Sequence, residues 1–373
     1  MTTHSFLKTG DKIKNMTTYT IYPIPNEVRG SEYLNLLHTS IEGASSVDII
    51  FRIKKFSWRE LFFSRPKQNG HRLIHIHWET NIYGSKFVFV SLVRMVTRFP
   101  ALWLLKLRGV KIIWTMHNLY AHDYPHPRID ALGRFFMWHL VDTVTIQQEK
   151  ITQKEIAHRS SPRIVFIQHP NFVGVFGPLW EGDREGFRNK LGIRPEEKVL
   201  LAVGSVRPYK ELPALIDAVS EAYAKGAKVR LLIAGKASKE YGDTIIQKAG
   251  NNPAVILQLG FVEMKDMSSL LALSDYSILY YGDSSLNSGP LILSLSYGVP
   301  VITRDMPASE IITKENGFIF HDAKELENIL LKLASVPPFD RDAIIGTSGP
   351  DWPTMAQQLR QAYVELWSEN SNK

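Results

Sequence analysis

Short apolar runs rich in β-branched residues alternate with longer stretches of helical periodicity along most of the chain. This alternation is typical of parallel α/β architecture, because a helix crosses over between successive parallel strands. Six predicted strands lie between TYTIYPI at residues 18–24 and RIVFIQ at 163–168, and six more between KVLLAV at 198–203 and NGFIF at 316–320. The pattern predicts two α/β sheets in tandem.

The two series of strands are separated by a segment rich in Gly, Pro and charge, HPNFVGVFGPLWEGDREG. Such composition is typical of a linker, so we place a domain boundary near Gly177 and expect domains at residues 1–176 and 177–350. Asp351 followed by Trp352-Pro353 resembles a helix start, with Asp351 as the cap. We expect a closing helix over 351–373 that returns towards the first domain.

The composition narrows the class of protein. With 373 residues, 44% hydrophobic and 22% charged, the chain has the make-up of a globular protein large enough for two cores. Cysteine is absent, which excludes disulfides, thiolate nucleophiles and cysteine-bound metals. The first residues lack the apolar core of a signal peptide, and no uncharged run reaches the length of a membrane span. A cytoplasmic protein is predicted.

Charge is distributed unevenly. The first 175 residues contain 23 Lys and Arg against 12 Asp and Glu, whereas the remainder contains 21 against 25. A basic half is suited to an anionic partner such as a membrane surface, an anionic small molecule or nucleic acid. No nucleic-acid-binding motif is present, so we expect no nucleic-acid partner.

Residues 86–109, KFVFVSLVRMVTRFPALWLLKLRG, are mainly apolar but carry five cations, and Pro100 is expected to break or kink any helix there. One interpretation is a pair of core helices with solvated charges. The other is an interfacial surface on anionic lipid, together with the basic and aromatic residues 54–65. The second interpretation predicts salt-sensitive binding to anionic vesicles.

Two loops in the second half have the residue types of an anion site. Gly204-Ser205-Val206-Arg207-Pro208-Tyr209-Lys210 follows a predicted strand and precedes a helix, at the sheet edge where open α/β sheets bind ligands. Gly204 allows close approach to the backbone, and Arg207 and Lys210 supply two cations for a diphosphate. The alternative is a solvated turn.

The second loop, Tyr281 to Gly289, connects a strand to an apolar helix that ends at Gly298. Ser288 and Gly289 at the helix start would offer a hydroxyl and backbone N–H groups to a phosphate. The alternative is an ordinary cap made by Asn287 or Ser288, and the two interpretations are compatible.

The segments GSVRPYKELPALIDAV, LLIAGKA, LQLGFVEMKDMSSLLALSDYSILYY and NSGPLILSLSYGVPVITRD, in this order, resemble the nucleotide-sugar-binding domain of GT-B glycosyltransferases of family 4 and its relatives. The resemblance implies a GT-B fold, in which two Rossmann-like parallel-sheet domains face a cleft. It places Arg207 and Lys210 at the donor diphosphate, Phe261 and Val262 around the base, and Ser288 with Gly289 by the phosphates.

The family's two glutamates, separated by seven residues, are absent, because Ser285 and Leu293 occupy their positions. Asp283 lies nearby and is a candidate contact to the sugar, as is Glu310 after the strand VPVITRD, unless Glu310 is a solvated helix-start residue. Loss of the glutamate pair favours an inverting reaction. The form NSGPLILSLSYG is similar to bacterial exopolysaccharide mannosyltransferases and glucuronosyltransferases.

An inverting transfer needs a base for the acceptor hydroxyl. Two predicted strands of the first half end in polar residues, HIHWE at 75–79 and TMHNLYAHD at 115–123, and alternation places His75 and His77 on one face. Resemblance to the Thr-x-His turn of the same family places His117 beside the donor sugar. The candidates for the base are Glu79, His117 and Asp123.

The histidines have alternative interpretations. His75, His77, His117 and His122 include enough nitrogen ligands for a metal, but their spacing is no recognised zinc signature, and the resemblance implies that no metal or other cofactor is needed. Each of them is also a candidate structural residue. His169, which closes the last strand of the first half, is interpreted either as a residue bordering the cleft or as part of a hinge.

The leading hypothesis is therefore a glycosyltransferase that moves a sugar from a UDP- or GDP-sugar to a lipid-linked or polysaccharide acceptor. The expected location is the inner face of the cell membrane, attached peripherally to its anionic surface. The alternatives are a nucleotide-sugar epimerase, which would need several carboxylates in the cleft, and a catalytically silent nucleotide-sugar-binding protein.

Overall fold

The computed structural model describes residues 16–28, 32–43, 48–65, 69–121, 124–148, 162–178, 182–281 and 286–368. The chain divides into two compact units, residues 1–168 with 352–373, and residues 169–351. Each unit contains one six-stranded sheet in which all paired strands are parallel. The predicted α/β class with two parallel sheets is confirmed.

The first sheet has the order β2-β1-β3-β4-β5-β6. Its strands are β1 (Thr17–Ile24), β2 (Ile49–Ile53), β3 (Gly70–Ile76), β4 (Lys111–Thr115), β5 (Thr143–Ile146) and β6 (Arg163–Phe166). Within the described residues, the helices of this unit are α1 (Tyr33–Gly43), α2 (Trp58–Phe63), α3 (Thr80–Tyr83), α4 (Val88–Leu107), α5 (Pro127–Leu140) and, from the end of the chain, α13 (Trp352–Ser368). The central strands are buried on both faces, as continuous apolar runs such as KIIWT require.

The second sheet has the order β12-β11-β10-β7-β8-β9. Its strands are β7 (Lys198–Val203), β8 (Val229–Gly235), β9 (Val255–Leu259), β10 (Tyr276–Leu279), β11 (Val301–Arg304) and β12 (Gly317–Phe320). The helices are α6 (Arg184–Lys190), α7 (Leu212–Ala224), α8 (Lys239–Ala249), α9 (Met264–Leu273), α10 (Gly289–Ser296), α11 (Ala323–Lys332) and α12 (Arg341–Gly346). Short 3-10 turns occupy Pro208–Lys210, Pro307–Ile311 and Leu333–Ser335.

The division between the units falls after Gln168, before the predicted boundary at Gly177. The intervening segment is held by the second unit, because the Asn171 amide donates to the Pro350 oxygen and the Phe172 amide donates to the Ser296 hydroxyl. The hydroxyl of Tyr297 also donates to the Gly177 oxygen. The closing helix α13 belongs to the first unit, as expected.

The interpretation of residues 86–109 as a pair of core helices is wrong, and Pro100 does not break the helix. The segment forms one continuous helix, α4, with Pro100 inside it. By length and composition α4 is the one helix of the described chain that could cross a membrane, with a mean hydropathy of 1.6 in its most apolar window and 28% of that window buried. Three of its cations bond to carbonyl oxygens of the same unit, which anchors one face and leaves the other exposed.

Candidate active site

The chain builds the second sheet outward from β7 through β8 to β9 and then continues on the other side of β7, with β10. The loops that follow β7 and β10 therefore lie side by side at the carboxyl edge of the sheet. Ligands of open α/β sheets bind at such a switch point. The loop after β7 carries Gly204 and Lys210, and the loop after β10 leads through Tyr281 to Ser288. The fold therefore places side by side the two loops that the sequence analysis gave as separate candidate anion sites.

Lys210 is the buried cation of this edge. It is 7% exposed, and its Nζ donates to the main-chain oxygen of Val203 at 3.3 Å. Nζ also lies 5.7 Å from the centre of the Tyr281 ring. Burial lowers the pKa of Lys210 to about 8, and no carboxylate in the described part of the chain forms an ion pair with it. A buried ammonium without a counter-charge favours binding of an anion.

Gly204 leaves the space above Lys210 open. Its φ of +104° is rarely adopted by residues with a side chain, and a Cβ there would lie 3.2 Å from Lys210 Nζ and 3.5 Å from Pro290 Cγ. A glycine at this point therefore keeps both the backbone conformation and an approach to the ammonium.

Glycine stands at the last position of β8 and directly after β7 and β9, at Gly235, Gly204 and Gly260. A Cβ on Gly235 would lie 1.9 Å from the Gly204 oxygen, and the Gly260 amide donates to the Gly235 oxygen at 3.0 Å. Gly235 therefore allows the backbones of β7 and β8 to approach closely, because the Gly204 oxygen fills its Cβ position. At Gly260 that position is open, so a ligand could contact main-chain groups there.

The Ser288 hydroxyl is part of a cap. Its Oγ accepts from the Leu291 amide at 3.2 Å and hydrogen-bonds to Tyr281 Oη at 2.5 Å. Pro290 has no N–H, which removes one backbone donor from the first turn of α10. The capping interpretation of Ser288 is confirmed, and the space at the Cβ position of Gly289 is open.

The other described residues that were predicted for the donor site follow different strands at the same sheet edge. Arg207 is exposed, Asn287 is partly buried just before α10, and Glu310 lies in the 3-10 turn after β11. Phe261 and Val262 follow β9 and line a pocket of about 700 Å³ together with residues of α6 and α9. Asp283 and Ser285 lie outside the described residues, and Leu293 is buried within α10.

In the first unit, His75 and His77 lie on one face of the chain leaving β3, with ring centres 4.0 Å apart, as the alternation predicted. His75 hydrogen-bonds through Nδ1 to Tyr363 Oη at 2.8 Å and through Nε2 to Thr115 Oγ1 at 2.7 Å. Burial lowers the pKa of His75 to about 3, so the ring is neutral at physiological pH. Both of its nitrogens are occupied within the protein, which supports a structural role.

His77 and His117 form a second contact. Nδ1 of His77 lies 3.5 Å from Nε2 of His117, and His117 stacks on Trp78 with ring centres 4.9 Å apart. Nε2 of His77 is buried without a hydrogen-bond partner, and burial holds the pKa of His77 well below its usual range. His117 is 9% exposed and lies in the loop directly after β4.

Glu79 belongs to a buried ionic network. Its Oε1 pairs with Arg134 at 3.0 Å, and the Arg134 Nε lies 3.5 Å from Asp130, which accepts a 2.6 Å hydrogen bond from Tyr83. Burial raises the pKa of Glu79, and the Arg134 charge opposes that shift. Glu79 therefore has an elevated proton affinity but also fixes α5 to the end of β3.

Asp123 and His122 lie outside the described residues. In the ranges that are described, no group of three or more His, Asp and Glu side chains is arranged to hold a metal ion. His169 is buried in the second unit, where its Nδ1 bonds to the Pro170 oxygen and burial lowers its pKa to about 4.

Tyr281, Gly235 and Arg134 were not among the predicted site residues. Gly204 was selected because it lies at the carboxyl end of a predicted strand. Tyr281 and Gly235 also lie at the ends of apolar strands, so the same criterion would have found them. Arg134 gives no such signal, because only the packing of α5 brings it to Glu79.

Residues 197–335 match the family described as Glycosyl transferases group 1. Over 325 residues the chain is 24% identical to a GDP-mannose:glycolipid 4-beta-D-mannosyltransferase of Xanthomonas campestris, covering 85% of each protein. It is also 28% identical over 244 residues to a D-inositol 3-phosphate glycosyltransferase of Mycobacterium marinum, covering 61% of this chain and 47% of the relative.

The chain is a GT-B glycosyltransferase. Among solved structures, this glycosyltransferase resembles Anabaena HepE in complex with UDP-glucose, with a TM-score of 0.66 and 14% identity over 94% of this chain and all of HepE. A sucrose-phosphate synthase from Thermosynechococcus elongatus gives a TM-score of 0.62 and 14% identity over 95% of this chain and all of that one. These likenesses confirm the GT-B fold, and the sequence relatives confirm the resemblance to family 4.

Proposed function

We propose that this glycosyltransferase moves a hexose from a nucleotide diphosphate sugar to a lipid-linked saccharide, with inversion, in bacterial surface polysaccharide synthesis. The single observation that carries the donor side is Lys210, a buried ammonium with no described carboxylate partner, open to the sheet edge through Gly204. A departing nucleoside diphosphate develops negative charge, which a preorganised cation stabilises.

The donor is UDP- or GDP-sugar, and the sequence relatives favour GDP-mannose. The Xanthomonas campestris relative is named for GDP-mannose and a glycolipid, and its similarity extends over 85% of this chain, into both units. HepE, solved with UDP-glucose, shares the fold at 14% identity and supports the general donor class only. The glycolipid acceptor of the relative likewise supports a lipid-linked acceptor here.

In the proposed reaction, the acceptor hydroxyl oxygen attacks the anomeric carbon and the bond from that carbon to the diphosphate oxygen breaks. The electron pair leaves with the diphosphate, where Lys210 and Arg207 stabilise it, and the hydroxyl proton passes to a base. Glu79, His117 and Asp123 are the proposed bases. The raised proton affinity of buried Glu79 supports Glu79 as the base. The position of His117 in the loop after β4 supports His117. No metal or cofactor is needed for these steps.

Because a lipid-linked acceptor lies in the membrane, we propose that the enzyme is attached peripherally to the inner face of the cell membrane. The basic character of the first 175 residues supports an anionic surface as the partner. Neither an epimerase nor a silent binding protein gains support from the two sequence relatives described above, which are named as a mannosyltransferase and a glycosyltransferase.

The donor side is tested by binding of GDP, UDP and their sugar conjugates to wild-type protein, to Lys210→Met and to Lys332→Met. Lys332 is an exposed lysine at the end of α11 in the same unit, so its substitution controls for loss of charge. We expect Lys210→Met to weaken binding by about tenfold to a hundredfold and Lys332→Met to leave it unchanged. Equal affinity in all three proteins would remove the diphosphate assignment.

A second arm measures turnover with the donor that binds. Transfer to a lipid-linked saccharide with inversion at the anomeric carbon is the expected outcome. Tight donor binding without transfer or hydrolysis would support the silent-binding alternative, and conversion of the donor sugar without an acceptor would support the epimerase.

A further inference from the structure

The outward face of α4 is mainly apolar and carries no charge; the exposed Thr97 hydroxyl bonds to the helix's own carbonyl oxygens. Its exposed apolar side chains follow helical spacing and are between 40% and 77% accessible: Val88, Phe89, Leu92, Val93, Val96, Trp103, Leu104 and Leu107. We refer to these eight residues as the α4 stripe. Contiguous apolar surface of this extent marks an interaction site rather than scattered exposure.

The three cations within α4 do not interrupt the stripe. Arg94 donates to the Gly84 oxygen, and Arg98 donates to the oxygens of Asn81 and Ile82, both at 3.0 Å. Lys106 donates to the Leu140 oxygen at 2.6 Å and lies 3.2 Å from Asp142. The helix thus uses its charges to bind its own unit, which leaves its outer face without charge.

The apolar surface continues onto neighbouring elements. The Phe99 ring of α4 lies 5.2 Å from that of Phe136 in α5, and Phe135 and Phe136 are 52% and 40% exposed. Where α4 ends, Arg108 donates to the Phe62 oxygen at 2.9 Å, and the adjacent Phe63 is 86% exposed. Exposed aromatic side chains of α5 and α2 therefore extend the apolar surface beyond the α4 stripe.

The charge around this surface favours an anionic partner. Residues 80–141 contain eight Lys and Arg but only two acidic residues, of which Asp130 is buried and Asp123 lies outside the described residues. Lys86, Arg108 and Arg128 are exposed close to the helices that carry the stripe. A second copy that docked through the same surface would oppose like charges across the contact, whereas an anionic bilayer offers hydrocarbon to the stripe and phosphate to its rim.

We propose that α4 lies in the membrane interface and inserts the α4 stripe between lipid headgroups and acyl chains. This inference extends the lipid-linked acceptor of the proposed function, on which its biological purpose rests. It goes further than electrostatic adsorption, because the cations of the helix are already engaged within the protein. Attachment therefore depends on apolar insertion, with the rim cations adding a salt-dependent contribution.

The test uses the full chain and vesicles of phosphatidylcholine with phosphatidylglycerol. We expect a bound fraction of wild-type protein to persist at 1 M NaCl, where the screening length is about 3 Å. The neutral double substitution Phe89→Gln with Val96→Gln, at positions 77% and 74% exposed, should lower the partition coefficient by at least about tenfold. Ile246→Gln with Ile319→Gln, at exposed positions of the second unit, is the matched control and should bind like wild type.

Brominated acyl chains give an independent reading of depth. Trp103 is 55% exposed on the α4 stripe, so we expect brominated lipid to quench the tryptophan fluorescence of the protein. Most of this quenching should be absent in Trp103→Phe. Complete release of wild-type protein at 1 M NaCl, equal loss in the control double variant, or a wild-type dimer that the Phe89/Val96 substitutions dissociate would each overturn the proposal. Nucleotide binding measured on the same samples separates this outcome from failure of the donor assignment.

Discussion

The Lys210 ammonium and the Gly204 backbone define the proposed phosphate position together, since a Cβ on Gly204 would stand 3.2 Å from Lys210 Nζ. The two residues are six positions apart in one loop, and the 3-10 turn Pro208–Lys210 folds the lysine back beneath the glycine. Backbone access and positive charge are therefore supplied by a single loop after β7.

Gly204→Ala is expected to weaken nucleotide binding, because the added methyl group enters the approach to Lys210. Gly226 provides a matched control, with φ of +96° and open space at its Cβ position. Both substitutions should destabilise the protein by roughly 1 kcal/mol through the positive φ, but only Gly204→Ala should raise the nucleotide Kd. Unfolding curves and calorimetric titration measure the two effects, and an equal change of Kd in both variants would count against the site.

Nucleotide binding should fall as the pH rises through about 8. Burial lowers the pKa of Lys210 to about 8, and only the protonated ammonium attracts a diphosphate. The Kd of the nucleotide measured from pH 7 to 9.5 should therefore increase in wild type. Lys210→Met removes the titrating group and should give a weak, flat profile over the same range. A steep profile that persists in Lys210→Met would assign the pH dependence to another residue.

The first unit should lose stability in acid. The pKa of His75 is lowered to about 3 by burial, so between about pH 6.5 and 3 the unfolded chain binds a proton that the folded protein does not. The free energy of unfolding is therefore unaffected by His75 above about pH 6.5. Below that pH it falls by about 1.4 kcal/mol per pH unit, which makes a loss of about 2 kcal/mol at pH 5.

This loss is measured by urea unfolding at pH 7 and pH 5. His75→Gln keeps hydrogen-bonding groups beside Tyr363 and Thr115 and should reduce the difference between the two pH values. His139→Gln changes an exposed histidine of the same unit and serves as the control. An unchanged pH difference in His75→Gln would mean that other groups dominate the acid response.

Glu79→Gln should lower kcat and also lower stability. The substitution removes the charge that pairs with Arg134 at 3.0 Å and leaves a buried guanidinium with Asp130 as its remaining anion at 3.5 Å. We expect a stability loss of about 1–3 kcal/mol. If Glu79 is the base, kcat falls with little change in the donor KM and the acidic limb of the kcat–pH profile disappears.

Asp130→Asn is the matched comparison, because it disturbs the same network and Asp130 is not a candidate base. A similar loss of kcat in both variants, with the acidic limb retained, would assign Glu79 a structural role. His117→Gln, measured in the same way, then tests the remaining described candidate for the base.

The strands could be predicted from the sequence, because apolar β-branched runs have few alternatives to a buried parallel sheet. All twelve predicted strands are present, and the positions directly after them include Gly204, Glu79 and His117. Ser288 is compatible with both a cap and a phosphate ligand, because both need a hydroxyl at a helix start. Its bonds to Leu291 and Tyr281 show the cap, and the contact to a phosphate stays a prediction.

The sequence by itself determined the class of fold, the two parallel sheets and the loops that end their strands, since these follow from local periodicity and strand-end chemistry. Only the tertiary structure decided which side chains are paired. Arg134 reaches Glu79, and Arg94, Arg98 and Lys106 turn inwards from α4, because carbonyl oxygens and carboxylates from distant segments lie within their reach. Those partners come from packing between elements, and it is their placement that leaves the face of α4 uncharged.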